Sequence, residues 1–264
     1  MDLQLADKLV FISGSTKGIG RAIAETLLQE GARVIVNGRS GTADATSDMS
    51  GPGEVIPIDG DLSRAEDAAR LCSEIDKIGP LHVLVNNMGI FNPAAFDEIA
   101  DEEWQRFFDI NVLSTVRLCR HFFPRMREQE FGRIINIASE AGMRGLESMV
   151  HYSMTKGAQI VIGRGLANLT KGCGRNVTVN SVLPGPTLTE GVSQWLKESA
   201  EAQGKSESEF VAEFFKETEP DSLLQRFIRP EEIASVVAFI ASPLSAAING
   251  ASIKAEGGLI KSIV

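Results

Sequence analysis

One tyrosine, two tryptophans and three cysteines are all that 264 residues supply of those types, and each scarcity removes a class of explanation. Cys72, Cys119 and Cys173 lie far apart and show no C-x-x-C spacing, so neither a disulfide framework nor a zinc site is expected, and a reducing cytoplasm suits the chain. His82, His121 and His151 are unclustered, which argues against a bound metal; His151, beside Tyr152, is a candidate pocket residue. Basic residues are in deficit. A net charge of -9 argues against a nucleic-acid partner, because phosphate backbones demand basic surface. No apolar run is long enough to span a bilayer, and Met1-Asp2-Leu3-Gln4-Leu5 has neither the basic stretch nor the apolar core of a signal peptide, so no membrane span and no leader are expected. What is abundant points the other way: 43% hydrophobic residues and 25 scattered glycines suit one sizeable domain with a full core, and no composition break marks a second.

The lone tyrosine stands in a telling place. Tyr152 precedes Lys156 by four residues and follows Ser139 by thirteen. On a helix, residues i and i+4 share a face, so phenol and ammonium can meet. A free phenol, with a pKa of about 10, is a poor acid-base group at neutral pH, and a nearby cation is expected to lower that value. The alternative is a surface Tyr-Lys pair of no consequence.

Near the N-terminus, Val10-Phe11-Ile12 closes an apolar run and Ser13-Gly14-Ser15-Thr16-Lys17-Gly18-Ile19-Gly20 follows. Ala22, Ile23, Leu27 and Leu28 then recur at helical spacing until Gly31. A strand therefore enters a glycine-rich turn that opens a helix. Such a turn brings backbone close to a pyrophosphate, and the helix N-terminus offers unpaired N–H groups and a favourable dipole. A dinucleotide is the expected guest, although the spacing is G-x-x-x-G-x-G instead of the commoner G-x-G-x-x-G.

Further along, branched-apolar runs at Arg33–Asn37, Glu54–Ile58, Leu81–Asn86, Arg133–Ala138 and Asn176–Val182 read as strands with amphipathic stretches between most of them. This alternation predicts an α/β fold, a parallel sheet wrapped by helices on both faces, with ligands gathered at the carboxyl ends of the strands. Asn86-Asn87-Met88-Gly89, Ser139 and Pro184-Gly185-Pro186 each follow a strand directly and converge on that edge. Ser40–Gly53, rich in Gly, Ser, Thr and Asp, reads as mobile loop or a short exposed helix.

Together these motifs resemble the short-chain dehydrogenase/reductase family over nearly the whole chain. Gly14, Gly18 and Gly20 match its cofactor turn, Asn86-Asn87-x-Gly89 its strand-four motif, Asn111 its helix asparagine, Ser139, Tyr152 and Lys156 its catalytic core, and Pro184-Gly185 completes the order. The resemblance implies a single-domain, Rossmann-type doubly wound sheet. It makes Tyr152 the general acid or base, Ser139 the holder of the substrate oxygen, Lys156 the group that tunes the tyrosine and bonds the nicotinamide ribose, and Asn111 the holder of a relay water. Ser15, Lys17, Ile19, Arg39, Asp61, Leu62, Asn87, Gly89 and Thr187 join the glycines, Tyr152, Lys156, Pro184 and Gly185 as cofactor contacts, with Asp61-Leu62 clasping the adenine and Thr187 the carboxamide. Gly38 stands where NAD-preferring relatives place an aspartate, with Arg39 after it and Lys17 near the turn, so NADP(H) is expected over NAD(H).

The resemblance implies a small carbonyl or alcohol substrate, no metal and a homotetramer, paired through helices at Asp101–Met126 and Met149–Lys171. Ile160, Val161, Gly163 and Leu166 are candidate contacts there, or equally a buried face. Leu188–Phe227 is the expected substrate lid: Trp195, Leu196, Phe210, Val211, Phe214 and Phe215 recur at helical spacing, to grip an apolar substrate or simply to pack. Glu140, Met143, Arg144 and Met149 flank the catalytic residues as candidate pocket groups. Met88 and Gly157 replace the family's usual alanines, and Glu256 its usual aspartate. Two alternatives stay open: a reductase of 3-oxoacyl groups on acyl carrier protein, which the acidic charge disfavours, and a non-catalytic dinucleotide sensor, which the intact Ser139-Tyr152-Lys156 set disfavours.

Overall fold

A computed structural model describes residues 1–173 and 176–263. Its centre is one seven-stranded sheet, entirely parallel, in the order β3-β2-β1-β4-β5-β6-β7. The strands are β1 Leu9–Ile12, β2 Arg33–Gly38, β3 Glu54–Asp59, β4 Val83–Asn86, β5 Phe131–Ile137, β6 Asn176–Pro184 and β7 Ser252–Ala255. The five strands expected between Arg33 and Val182 are all present, with ends displaced by a residue or two.

The sheet is buried on both faces, so the alternation of side chains sorts its strands into two cores. Val10, Ile12, Val34, Val36, Val83, Val85, Ile135 and Ile137 face one side, under α1 (Gly18–Gln29) and α10 (Pro230–Ala241). Leu9, Phe11, Ile35, Leu84, Ile134, Val177 and Val179 face the other, under α3 (Ala65–Ile78), α5 (Ser114–Met126) and the end of α7 (Val150–Asn168). Each such side chain withdrawn from water contributes roughly 1.5–3 kcal/mol, before the entropy of ordering it is subtracted.

Ser40–Gly53 is held in place. It contains α2 (Thr42–Ala45), and Arg21 on α1 donates to Ala45 O at 2.9 Å and to Asp48 Oδ1 at 2.8 Å, while Gln29 donates to Ser50 O at 2.8 Å. Its polar composition conceals these tethers because the partners are main-chain carbonyls on one side and a neighbouring helix on the other.

The continuous helix expected over Asp101–Met126 is divided. α4 (Asp101–Phe107) leads into a π-helical turn (Phe108–Leu113) before α5. The wider turn rotates Asn111 inward, where it is fully buried. Of the residues proposed for subunit contact on α7, Gly163 faces the sheet instead, since a Cβ there would lie 2.9 Å from Asn136 Nδ2 and Ser181 Oγ, and Leu166 packs on the core; Val161 is exposed.

Between β6 and α10 come α8 (Glu190–Ala202) and α9 (Glu207–Glu217). Most of the aromatics there turn to one another. Phe214 stacks on Phe227 at 5.2 Å, Phe215 meets both edge-on, and Trp195 abuts Phe210 and Phe214, forming a small separate core with Leu196. No helix among the described residues is long and apolar enough to cross a membrane.

Candidate active site

Parallel register brings the strand ends level: Ile12 pairs with Val36 and Val85, Asn86 with Asn136, and Ile137 with Val182. The segments that leave β1, β4, β5 and β6 therefore open onto one edge.

At β1 the chain enters the glycine turn. Gly14 and Gly18 take positive φ (61° and 59°), which favours glycine, and Gly20 is required for another reason: a Cβ there would lie 2.4 Å from Asn87 Nδ2 and 2.6 Å from Gly14 O. Asn87 staples the turn to β4, its amide donating to Ser13 O at 3.0 Å and Gly14 O at 2.8 Å. Ser15 lies beneath the turn. Its buried hydroxyl donates to Ile12 O at 2.6 Å and accepts from Asn37 N at 3.0 Å, so it has a structural task. No side chain caps the start of α1 and no acid of its own lies in the first turn, yet the Gly18 N–H holds an anion already, the carboxylate of Glu190 at 2.9 Å. A glycine cradle with two left-handed glycines and a third, Gly20, that leaves no room for a Cβ, beside a helix N-terminus that takes a carboxylate, fits a dinucleotide's pyrophosphate.

The adenosine side lies past β2. Gly38 is pressed against Thr16, where a Cβ would come within 2.8 Å of Thr16 Cγ2, so the exposed Lys17 and Arg39 flank one contact. The nearest strand-end acid, Asp59, is occupied by the N–H groups of Gly41 (3.2 Å) and Thr42 (2.9 Å). Asp61 folds over its own turn onto Ser63 N and Oγ (3.0 and 2.6 Å), and Leu62 is fully buried in the core, its carbonyl accepting from Arg117 at 2.9 Å. After β6, Gly185 passes so close to Glu256 that a Cβ would lie 2.6 Å from its carbonyl oxygen, and the Thr187 hydroxyl turns back onto Gly185 O at 2.8 Å.

Ser139, Tyr152 and Lys156 converge above β5. Ser139 Oγ accepts from Ala141 N at 3.1 Å and donates a short hydrogen bond to Glu140. Lys156 Nζ lies 5.7 Å from the centre of the Tyr152 ring and donates to Ile137 O at 2.8 Å and Gln159 Oε1 at 3.0 Å. Gly89 approaches both Lys156 and Asn111; a Cβ there would lie 3.4 Å from Lys156 Nζ and from Asn111 Oδ1. Phe91, largely exposed, sets its ring edge-on to Tyr152 at 6.2 Å.

The expected depression of the tyrosine pKa is reversed here. Burial pushes the Tyr152 phenol up, with hydrogen bonding to Ser139 opposing and the charge of Glu140 adding to the rise. The ammonium is committed to Ile137 and Gln159, and burial pulls Lys156 itself down to about 8, against the attraction of Glu140. His151 is corrected too: it faces away from the cleft, fully buried against Phe107 (4.1 Å) and Trp104 (6.0 Å). Arg144 donates to Glu219 Oε2 at 2.8 Å.

The family's departures find local reasons. Met88 leans its side chain on the core beneath α3 and α5. Gly157 abuts Gly142 of α6 (Ala141–Arg144), where two helix backbones touch. Glu256 accepts from Leu259 N and Ile260 N, closing its own turn. Four residues escaped sequence reasoning: Phe91, Gln159, Thr189 and Glu190. Thr189 gave a trace, as a threonine before an acidic helix start, and caps α8 while touching the space over Gly18.

A family model described as enoyl-(acyl carrier protein) reductase matches residues 14–260. The chain is 50% identical to the uncharacterized oxidoreductase YvrD of Bacillus subtilis (strain 168) and 46% identical to the uncharacterized oxidoreductase YvaG of the same strain, covering all of each chain in both cases. In structure it superimposes on L-sorbose reductase from Gluconobacter frateurii, solved with NADPH and L-sorbose, with a TM-score of 0.90 at 27% identity over the full length of both.

Proposed function

Because this chain belongs to the short-chain dehydrogenase/reductase family of oxidoreductases, we propose that it transfers a hydride between NADP(H) and a carbonyl or secondary alcohol, with Tyr152 as general acid and base. The observation that carries the reading is the convergence of Ser139, Tyr152 and Lys156 at the edge where the glycine turn offers an anion site.

When bound, the nicotinamide supplies or accepts the hydride. The chain does the rest. With its pKa raised by burial, Tyr152 rests protonated, which suits it to donate to a carbonyl oxygen as that oxygen gains alkoxide character, a far stronger base than phenolate. Ser139 orients the same oxygen once its hydroxyl turns from Glu140 toward the substrate. The Lys156 ammonium beneath the ring favours the phenolate left behind. Phe91 supplies an apolar wall beside Tyr152 for the rest of the substrate.

Cofactor choice rests on charge. Lys17 and Arg39 flank the Thr16–Gly38 contact, and the carboxylate of Asp59, at the end of the neighbouring strand, is turned onto the N–H groups of Gly41 and Thr42. The NADPH bound to L-sorbose reductase is consistent with that preference. We also infer a homotetramer: Phe108, Met154, Val161 and Leu169 are large apolar side chains left exposed on the π-helical turn, on α7 and just past its end.

The test is a panel of ketones, ketoses, 3-oxoacyl thioesters and secondary alcohols, followed by nicotinamide absorbance for the protein and its Tyr152→Phe variant. Loss of at least about 10³-fold in turnover with cofactor affinity retained supports the reading. Undiminished turnover in the variant overturns the mechanism, and tighter binding of NADH than NADPH overturns the cofactor assignment. Sedimentation as a stable monomer removes the tetramer.

A further inference from the structure

Gln159 lies one turn past Lys156 on α7 and is fully buried. Chemistry fixes which way its amide points, because an ammonium only donates and a main-chain carbonyl only accepts. Oε1 therefore receives Lys156 Nζ at 3.0 Å, and Nε2 donates to Asn111 O at 2.9 Å and to Thr115 Oγ1 at 3.1 Å. The Asn111 side chain is engaged elsewhere, accepting from Ile90 N at 2.8 Å and donating to Ile90 O at 3.0 Å and Thr155 Oγ1 at 2.9 Å.

One side chain thus joins the Lys156 ammonium directly to the main-chain carbonyl of Asn111. An uncharged amide holds a cation, but it neither takes up nor releases protons at neutral pH. We propose that Gln159 is a positioning residue for Lys156: it fixes the ammonium beneath Tyr152 by tying it to the main-chain carbonyl of Asn111. With Ile137 O taking a second N–H, one donor of the ammonium is left for the cleft, beside the space that Gly89 leaves by lacking a Cβ. The consequence for catalysis rests on the reading above, whereas the effect on Lys156 does not.

The charged and titratable groups around Lys156 are Tyr152, one turn back on α7, and Glu140, in the segment after β5, which favours the ammonium. Asn111 and Gly89 face it from the other elements and are uncharged. Gln159 is the neighbour whose charge can be changed without altering either titrating partner.

The experiment uses full-length protein carrying 13C at lysine Cε, with the Lys156 resonance assigned by its absence in Lys156→Arg. Its pH titration is read without substrate or cofactor. Gln159→Met removes an acceptor from the buried cation, so the midpoint falls by about one unit; Gln159→Glu adds a carboxylate, so it rises by about one unit. Midpoints within about 0.3 unit of the parent in both variants overturn the proposal. Should neither variant fold, the unaltered protein still decides: the Gln159 side-chain amide resonances must shift with the Lys156 midpoint, and amide signals indifferent to that titration overturn the proposal. Neither reading uses turnover, so absence of activity on every substrate counts against the proposed function alone.

Discussion

The carboxylate of Glu190 accepts the backbone N–H of Gly18 at 2.9 Å, across 172 positions of sequence. An acid at the start of α8 thereby sits on the first amide of α1, where the glycine turn is shaped for a phosphate. A dinucleotide bound at this turn must displace that hydrogen bond and then tolerate a nearby negative charge. Glu190→Ala removes both obstacles. Since a hydrogen bond of this kind is worth about 1 kcal/mol net, NADPH affinity is expected to rise about fivefold, read by nicotinamide fluorescence titration, with the gain shrinking at high salt. Affinity that is unchanged or weaker would show that Glu190 serves the bound state instead.

The acid beside Ser139 gives a pH-dependent prediction. Glu140 is 5% exposed, accepts from Ser139 and Ala141 N, and has its nearest guanidinium, Arg144, at 3.9 Å. Burial is the largest influence and raises its pKa. A carboxyl whose folded-state pKa is raised contributes most to stability at low pH, and loses that contribution as pH rises through the folded value. Glu140→Gln should therefore melt higher than the parent at pH 8, by the equivalent of about 1 kcal/mol, and the advantage should vanish as pH falls toward the ordinary carboxylate range of about 4.3. Thermal unfolding across that interval checks it; an advantage that grows on acidification refutes the sign.

What the sequence disclosed and what it hid follow from the same physics. Strands such as β1 and β4 were legible because a sheet covered on both faces demands unbroken apolar runs, and the glycine turn because Gly14 and Gly18 take a positive φ and Gly20 leaves no room for a Cβ. β7 was not, since Ser-Ile-Lys-Ala on a half-exposed edge is too short and too polar to stand out. The π-helical turn was hidden because the apolar spacing runs through it without interruption. Ser139, Tyr152 and Lys156 could be named in advance, but not the hydrogen bonds that set their behaviour: Gln159 is separated from Asn111 by 48 residues and Glu190 from Gly18 by 172. Spacing along one helix predicted that Tyr152 and Lys156 would meet. It carried no information about Ile137 O, which draws the ammonium toward the strand.

The two glycines where α6 meets α7 predict different outcomes for the same substitution. A Cβ on Gly142 would lie 2.7 Å from Lys156 C and from Gly157 N, and rigid helix backbone cannot yield. Gly142→Ala must push α7, with Lys156 on it, off its seat, costing roughly 1–3 kcal/mol and much of the activity. A Cβ on Gly157 meets only Gly142 O at 3.3 Å, and alanine gains up to about 1 kcal/mol of helix propensity. Gly157→Ala is thus expected to leave stability within about 0.5 kcal/mol of the parent. Chemical denaturation of both variants checks the contrast, and equal losses would show that the two helices can slide.

Arg144 fastens the α8–α9 segment to the turn that carries Ser139. Its guanidinium donates to Glu219 Oε2 at 2.8 Å, just past the end of α9, and stands 3.9 Å from Glu140 Oε1. Both carboxylates are buried, at 6% and 5% exposure, so removing the cation strands two negative charges near each other. Arg144→Ala is expected to cost about 2 kcal/mol, a figure kept below the usual penalty for breaking a buried pair because the arginine itself is partly exposed. Adding Glu219→Ala removes one stranded charge and should recover about half of the loss, so the double-mutant cycle is expected to give a coupling energy of at least about 1 kcal/mol, larger by whatever Glu219→Ala costs alone. The single variant should also be cut faster by protease within α8 and α9, since its fastening to the sheet edge is gone. Strict additivity, with no change in cleavage, would mean that the aromatic cluster of Phe214, Phe215 and Phe227 holds the segment without help from the ion pair.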